Sequence, residues 1–247
     1  MQNLQRYLQD VANARRRELL PYVFAQTQGK VQTGPFKGMV IIPRTMWGDG
    51  DTAAKLMGVY EDELHGFIEQ AVASQPDVVI NVGSAEGYYS IGIAGRLPNT
   101  PVLAVDIDDR AAQIVNDNAI ANGLSNVTAI KQLVDQQWLK NQCNQYKCPL
   151  LIFDCEGAEL ELLDPAVLTE LSWCSILVEC HDCVTPGITD SLQSRFASTH
   201  EISKVAQCTK DPYQFSWCDN LSDCDKWALV HEGRPSTMTW LYMVPNK

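Results

Sequence analysis

The feature that most constrains the fold begins at "VVINVGSAEGYYSIGIA", Val78 to Ala94, where a β-branched run gives way to a glycine-spaced loop and then to small and apolar residues. Val78-Val79-Ile80 is continuously apolar, the signature of a strand covered on both faces. Gly83, Ala85 and Gly87 are small at every second position, so the chain can turn sharply and a ligand can approach the backbone. The segment after them reads as a helix whose first N–H groups face the loop. From here the candidates alternate: strands at 78–82, 102–105, 127–130, 150–153 and 176–178, helices at 88–96, 110–122 and 159–171. Alternation of this kind predicts an α/β fold with a doubly wound, mostly parallel sheet.

Ahead of the sheet, residues 1–75 read as an extension packed on a Rossmann-like domain spanning 76–247. The extension contains an amphipathic helix over 4–20, a turn and short strand in "GPFKGMVIIP", a "GDGD" loop and a helix over 53–74. Arg15-Arg16-Arg17 reads as a solvated helix face, and "TWLYMV" as a closing strand. Nineteen Lys and Arg against 30 Asp and Glu leave a net charge of -11, which opposes attraction to a phosphate backbone, so no nucleic-acid partner is expected. No apolar run reaches the roughly 20 residues that span a bilayer, and the opening stretch is polar, so the reading is no membrane and a cytoplasmic location. A homo-oligomer stays open. A zinc site built on Cys180 and Cys183 lacks a second close cysteine pair and is set aside.

In such a sheet, ligands lie at the carboxyl ends of strands. The first strand ends in the loop of Gly83, Ser84, Ala85, Glu86 and Gly87; the second ends in Asp106, followed by Ile107. An acid there can accept hydrogen bonds from both ribose hydroxyls of an adenosine cofactor, or it can cap the next helix. The glycine spacing is one residue shorter than the dinucleotide pattern, which favours S-adenosylmethionine over NAD.

Three stretches, "NVGSAEGYYS", "LLIFDCEGAELELL" and "LVECHD", resemble the FkbM-type S-adenosylmethionine-dependent methyltransferases. The middle one is the most specific: that family has Asp-x-Glu-Gly-x-Glu after its fourth strand, matched by Asp154, Glu156, Gly157 and Glu159. The resemblance implies a Rossmann-like class I methyltransferase fold and methyl transfer to an oxygen of a small polar metabolite. It also implies that Tyr60 and Glu61, in "KLMGVYEDEL", close over the cofactor. Where the family has Asp and Asn, this chain has Asn81 and Ala85; Asn81 offers an amide to the cofactor but no charge-assisted bond.

Asp154 and Glu179 end neighbouring strand candidates, and His181 lies two residues after Glu179, so these side chains are expected to converge near the cofactor. An alcohol acceptor needs a general base, which makes His181 the candidate, with Asp154 or Glu179 orienting it. Asp154 and Glu179 are also candidate Mg²⁺ ligands. The other readings are a non-catalytic binding module with a weakened cofactor site and an NAD-dependent oxidoreductase.

Overall fold

The computed structural model describes residues 2–46 and 50–246. Gly48 and Asp49 of the expected "GDGD" loop therefore lie outside the described residues. The chain opens with α1 (Gln2–Thr27), α2 (Thr52–Met57) and α3 (His65–Ala73). It then alternates through β1 (Val78–Val82), α4 (Tyr88–Arg96), β2 (Val102–Asp106), α5 (Asp109–Ala121), β3 (Val127–Lys131), α6 (Gln136–Cys143) and β4 (Pro149–Phe153). α7 (Glu159–Leu162), β5 (Ser175–Cys180), α8 (Ile188–Phe196), β6 (His200–Ala206), α9 (Asp223–Val230) and β7 (Thr239–Pro245) complete it.

One seven-stranded sheet runs in the order β3-β2-β1-β4-β5-β7-β6. β1 pairs in parallel with β2 and β4, and β7 runs antiparallel between β5 and β6. This is the α/β fold with a doubly wound, mostly parallel sheet expected from the alternating pattern. Every residue of β1, β4 and β5 is buried, as continuous apolar runs covered on both faces require. One face carries a core in which Leu19, Leu20 and Val23 of α1 join Val79, Leu150 and Trp240. The other is filled by Phe153, Val178, Leu192 and Phe196. Among the described residues, no helix is long and apolar enough to cross a membrane.

Four expected elements differ, each for a local reason. The helix expected over 53–74 is broken, because Gly58 takes a left-handed φ of +78° and ends α2; a 3-10 turn at Asp62–Leu64 then leads into α3. The helix expected over 159–171 stops at Leu162, since Pro165 lacks an N–H and disfavours helical geometry before it. The short strand expected near 39–42 is a single antiparallel bridge between Lys30 and Val40. β6, absent from the expected strands, is an edge strand whose polar residues hide its period.

The Gly58 break sets the path of the chain toward the cavity wall at Tyr60. A Cβ at position 58 would stand 2.2 Å from the Thr33 carbonyl oxygen. Gly58→Ala is therefore expected to lower stability by about 3 kcal/mol, read as a lower urea midpoint at unchanged m-value. An unchanged midpoint would show that the backbone relaxes freely here.

Candidate active site

β1 and β4 are adjacent while their following helices lie on opposite sides, and a cleft opens where the direction of winding reverses. At this point Gly83 has φ +79°, and a Cβ on it would lie 1.7 Å from the Asp154 carbonyl oxygen. No side chain fits there, so the loop after β1 rests directly on the backbone after β4. Gly83 and Ser84 donate their N–H groups to the Val105 carbonyl at 2.9 and 3.1 Å, tying the loop to β2 as well. Ala85 holds a left-handed φ of 45°, uncommon for a residue with a Cβ, and its N–H donates to Asp106 Oδ2 at 3.0 Å. Asp106 Oδ1 accepts from the Asp108 N–H at 2.9 Å. Asp108, not Asp106, caps α5. Each Asp106 oxygen thus takes one backbone N–H and keeps a second lone pair for a ligand.

A cavity of about 690 Å³ lies over these strand ends. Asn81, Ser84, Asp106, Ile107, Asp154 and Glu156 are on its wall. Asn81 also donates to Ser90 Oγ at 2.9 Å, so part of its amide is committed to α4. Glu86 also lines the cavity, and its carboxylate makes a buried ion pair with Lys55, which also holds Asp51 at 2.7 Å. Tyr60 lines the cavity, as the resemblance implied. Glu61 does not; it is 1% exposed, accepts from the Tyr89 hydroxyl and pairs with Arg234. Its place is behind the wall.

The ionisable groups after β4 and β5 do converge. His181 Nε2 lies 3.6 Å from Asp154, 3.5 Å from Glu156 and 3.7 Å from Glu179. The expected orienting partner needs correction. Glu159 Oε1 makes the hydrogen bond to His181 Nδ1 at 2.7 Å, whereas Asp154 and Glu179 stay beyond hydrogen-bond reach. His181 and Glu179 sit under the cavity floor, and Asp154 and Glu156 present the charge to its interior. Burial alone would lower the His181 imidazolium. The hydrogen bond its Nδ1–H donates to Glu159 and the charges of Asp154, Glu159 and Glu156 outweigh it, so its pKa stands above the ordinary value. Burial pushes the Asp154 carboxyl up to about 6, with His181 opposing. Glu179 is driven well above its usual range by burial and then by the Asp154 charge, although Arg234 Nη1 lies 2.8 Å from it.

Asp154, Glu156 and His181 bring one donor atom each within 4.8 Å of one another. This differs from the expected Asp154 and Glu179 pair, because Glu179 faces Arg234. Glu156, with φ 57°, takes its place.

Three residues absent from the expected site also matter. Arg234 lines the cavity and meets Glu61, Glu179 and, at 3.6 Å, Glu232. Burial pushes the Glu232 carboxyl up to about 7 against the pull of Lys210. Arg16 is 1% exposed and on the cavity wall, whereas Arg15 and Arg17 are exposed; the arginine run is a solvated face only in part. A run of like residues on a helix carries no mark of which member turns inward, and "HEGRPS" has no period to read.

No protein-family model and no curated protein matches the sequence. Several solved structures are similar. Precorrin-6y C5,15-methyltransferase from Geobacter metallireducens aligns over 83% of this chain and 93% of its own at 13% identity, TM-score 0.49. The O-methyltransferase TomG from Streptomyces achromogenes, solved in complex with SAM, aligns over 83% and 92% at 11% identity, TM-score 0.49. The O-methyltransferase from Bacillus cereus, in complex with SAH, aligns over 93% and 90% at 13% identity, TM-score 0.45.

The raised carboxyl of Glu232 gives a testable pH dependence. An acid whose folded pKa exceeds its unfolded value of about 4.3 contributes stability below that value and loses it as pH rises through about 7. His65, His200 and His231, lowered chiefly by burial, change in the opposite sense, so the difference between two proteins is the clean readout. The melting temperature of Glu232→Gln minus that of the wild type should rise between pH 5 and 8 by roughly 4–8 °C, equivalent to about 2 kcal/mol. A difference flat in pH would place Glu232 in water.

Proposed function

We propose that the chain is an S-adenosylmethionine-dependent methyltransferase that methylates a hydroxyl of a small polar acceptor. The observation that carries this reading is the Gly83 loop seated against the Asp154 backbone beside Asp106, at the mouth of a cavity large enough for a nucleoside and an acceptor. Two features weigh against a dinucleotide enzyme: the shortened glycine spacing and the antiparallel β7 inserted in an otherwise parallel sheet. The FkbM-type resemblance is supported by Asp154, Glu156, Gly157 and Glu159 standing together after β4. A net charge of -11 favours a small acceptor over nucleic acid.

Asp106 and Ile107 would hold the ribose and adenine, with the backbone of Ser84 and Ala85 beside them and Asn81 toward the amino-acid end. When bound, S-adenosylmethionine supplies a methyl group on a positively charged sulfur. Asp154 lines the cavity where its backbone meets the Gly83 loop, and with a pKa of about 6 it is ionised at neutral pH and basic enough to take the acceptor's proton. His181 was the expected base. Its raised pKa and its bond to Glu159 favour an imidazolium, so we assign it as a positioning residue that steadies Asp154 and Glu156 from beneath. Holding the acceptor beside the methyl donor in one cavity would align the two, which accounts for much of the rate in such transfers.

A second reading, favoured by the shared distance of Asp154, Glu156 and His181, places a divalent ion there in exchange for the His181 proton. Mn²⁺ or Zn²⁺ suits the imidazole donor better than Mg²⁺.

Calorimetry with S-adenosylhomocysteine should show binding that Asp106→Ala weakens at least ~10-fold. Binding of NAD alone would turn the reading to an oxidoreductase, and binding of neither to a non-catalytic module. With an acceptor found by following labelled methyl into hydroxylated metabolites, Asp154→Asn should lower kcat by roughly 10²–10⁴ and spare cofactor affinity. His181→Asn should lower kcat less and shift its pH profile. Full activity of Asp154→Asn would remove the proton role, and loss of activity on chelation, restored by Mn²⁺, would favour the metal reading.

A further inference from the structure

Most buried cations of this protein have a carboxylate. Lys55 has Asp51 and Glu86, Lys210 has Asp62 and Glu63, and Arg234 has Glu61 and Glu179. Arg16 does not fit this pattern. It projects from α1 to the cavity wall and is 1% exposed, yet no carboxylate among the described residues lies within 4.0 Å of it. Its Nη2 donates to Asn13 Oδ1, its Nη1 donates to His231 Nδ1 at 3.0 Å, and its buried Nε–H has no partner among the described residues. Asp51, the acid whose charge reaches it, is held by Lys55.

His231 is no counter-ion either. Its Nδ1 accepts from both Arg16 and the Gly233 N–H, the latter at 2.9 Å, so the ring is neutral with its proton on Nε2. Burial and the Arg16 charge both lower its pKa, which keeps it so. Asn13 and His231 therefore hold the guanidinium in place without neutralising it. Among the described residues, Gly50 and Gly233 stand against its Nη2, where added Cβ atoms would lie 3.9 and 3.6 Å away. A desolvated cation fixed by neutral acceptors, with a donor edge left over, is costly unless an anion joins it.

We infer that Arg16 is an anion-binding residue of the cavity, taking a carboxylate or phosphate of a bound ligand on its free donor edge. A planar guanidinium suits either group through paired hydrogen bonds. The same chemistry has two sources: the amino-acid carboxylate of the cofactor, or an anionic group on the acceptor. Naming these sources rests on the methyltransferase reading; the anion site itself does not.

The test compares wild type, Arg16→Met and Arg16→Lys by calorimetry at fixed ionic strength. The probes are S-adenosylhomocysteine, 5′-methylthioadenosine, which lacks the amino-acid end, and inorganic phosphate added to protein saturated with S-adenosylhomocysteine. The expected result is a loss of at least ~10-fold in Arg16→Met for one anionic probe, partly restored in Arg16→Lys, with methylthioadenosine within about 3-fold of wild type. A loss confined to S-adenosylhomocysteine identifies the cofactor carboxylate, and a loss confined to phosphate identifies an acceptor anion. Unchanged affinity for both anionic probes, or an equal loss for all three, overturns the proposal. Failure of S-adenosylhomocysteine to bind wild type would sink the methyltransferase reading, and phosphate added to the ligand-free protein would still decide the anion site. Should Arg16→Met not fold, the Arg16 Nε–H proton resonance of the wild type must shift on adding an anionic probe and stay in place with methylthioadenosine; no shift overturns the proposal.

Discussion

The rest of the site depends on the desolvation of carboxylates at the ends of β4 and β5. Glu159 and Glu179 are fully buried, and Glu61 is 1% exposed. Buried anions persist only when cations or hydrogen bonds are brought to them. Here His181 directly after β5 meets Glu159, and Arg234 comes from the loop before β7 to meet Glu179. Arg234 links Glu61 from the N-terminal extension, Glu179 from β5 and Glu232 from its own loop. One guanidinium thus holds three segments to the same cavity wall. Removing it would leave buried charge without a partner, which commonly costs about 3–5 kcal/mol.

This requirement explains why the sequence discloses the sheet more readily than the site. Burial on both faces leaves a signal in composition, and Val78–Val82, Pro149–Phe153 and Ser175–Cys180 show it as runs that are apolar but for Asn81, Ser175 and Glu179. The loop after β1 is likewise legible, because only glycine fits where residue 83 meets the Asp154 carbonyl. So is the acid that ends β2. These are local constraints, expressed in the residues that obey them. Charge compensation is not local. Arg15, Arg16 and Arg17 are identical letters, and only the packing of α1 against α2 and α9 turns the middle one inward. Glu159 could be read as part of a motif, but its bond to His181 joins the start of α7 to the residue after β5, 22 positions on. The two helices misjudged in length, over 53–74 and 159–171, were each cut by one residue, Gly58 or Pro165. The polar edge strand β6 was hidden because its pattern is set by solvent on one side and β7 on the other.

The backbone after β1 and β4 shows a related division. Ala85 and Glu156 both hold left-handed conformations at residues with a Cβ, each at a cost of order 1–2 kcal/mol. Neither is needed to close the sheet. Both sit on the cavity wall, where Ala85 directs its N–H at Asp106 and Glu156 carries a carboxylate over His181. These two left-handed residues thus serve groups on the cavity wall, whereas Gln28, Glu61 and Gln75, also left-handed, lie off it.

An open doubly wound sheet leaves its ligand cleft exposed along the strand ends, and here that cleft has a roof. α1 contributes Gln9, Asn13 and Arg16, and the loop before β7 contributes Glu232, Gly233 and Arg234, so the two ends of the chain meet over the carboxyl ends of β1, β2 and β4. The roof is cationic at Arg16, since Arg234 is paired with Glu61 and Glu179, and the floor is anionic at Asp154 and Glu156. An enclosure of low dielectric strengthens both fields and orients any ligand that carries separated charges. A sulfonium would be drawn toward the floor and an anion toward Arg16, with the adenosine edge fixed by Asp106. Orientation by the field would then precede any contact with the acceptor, which is what a transfer between two bound molecules requires.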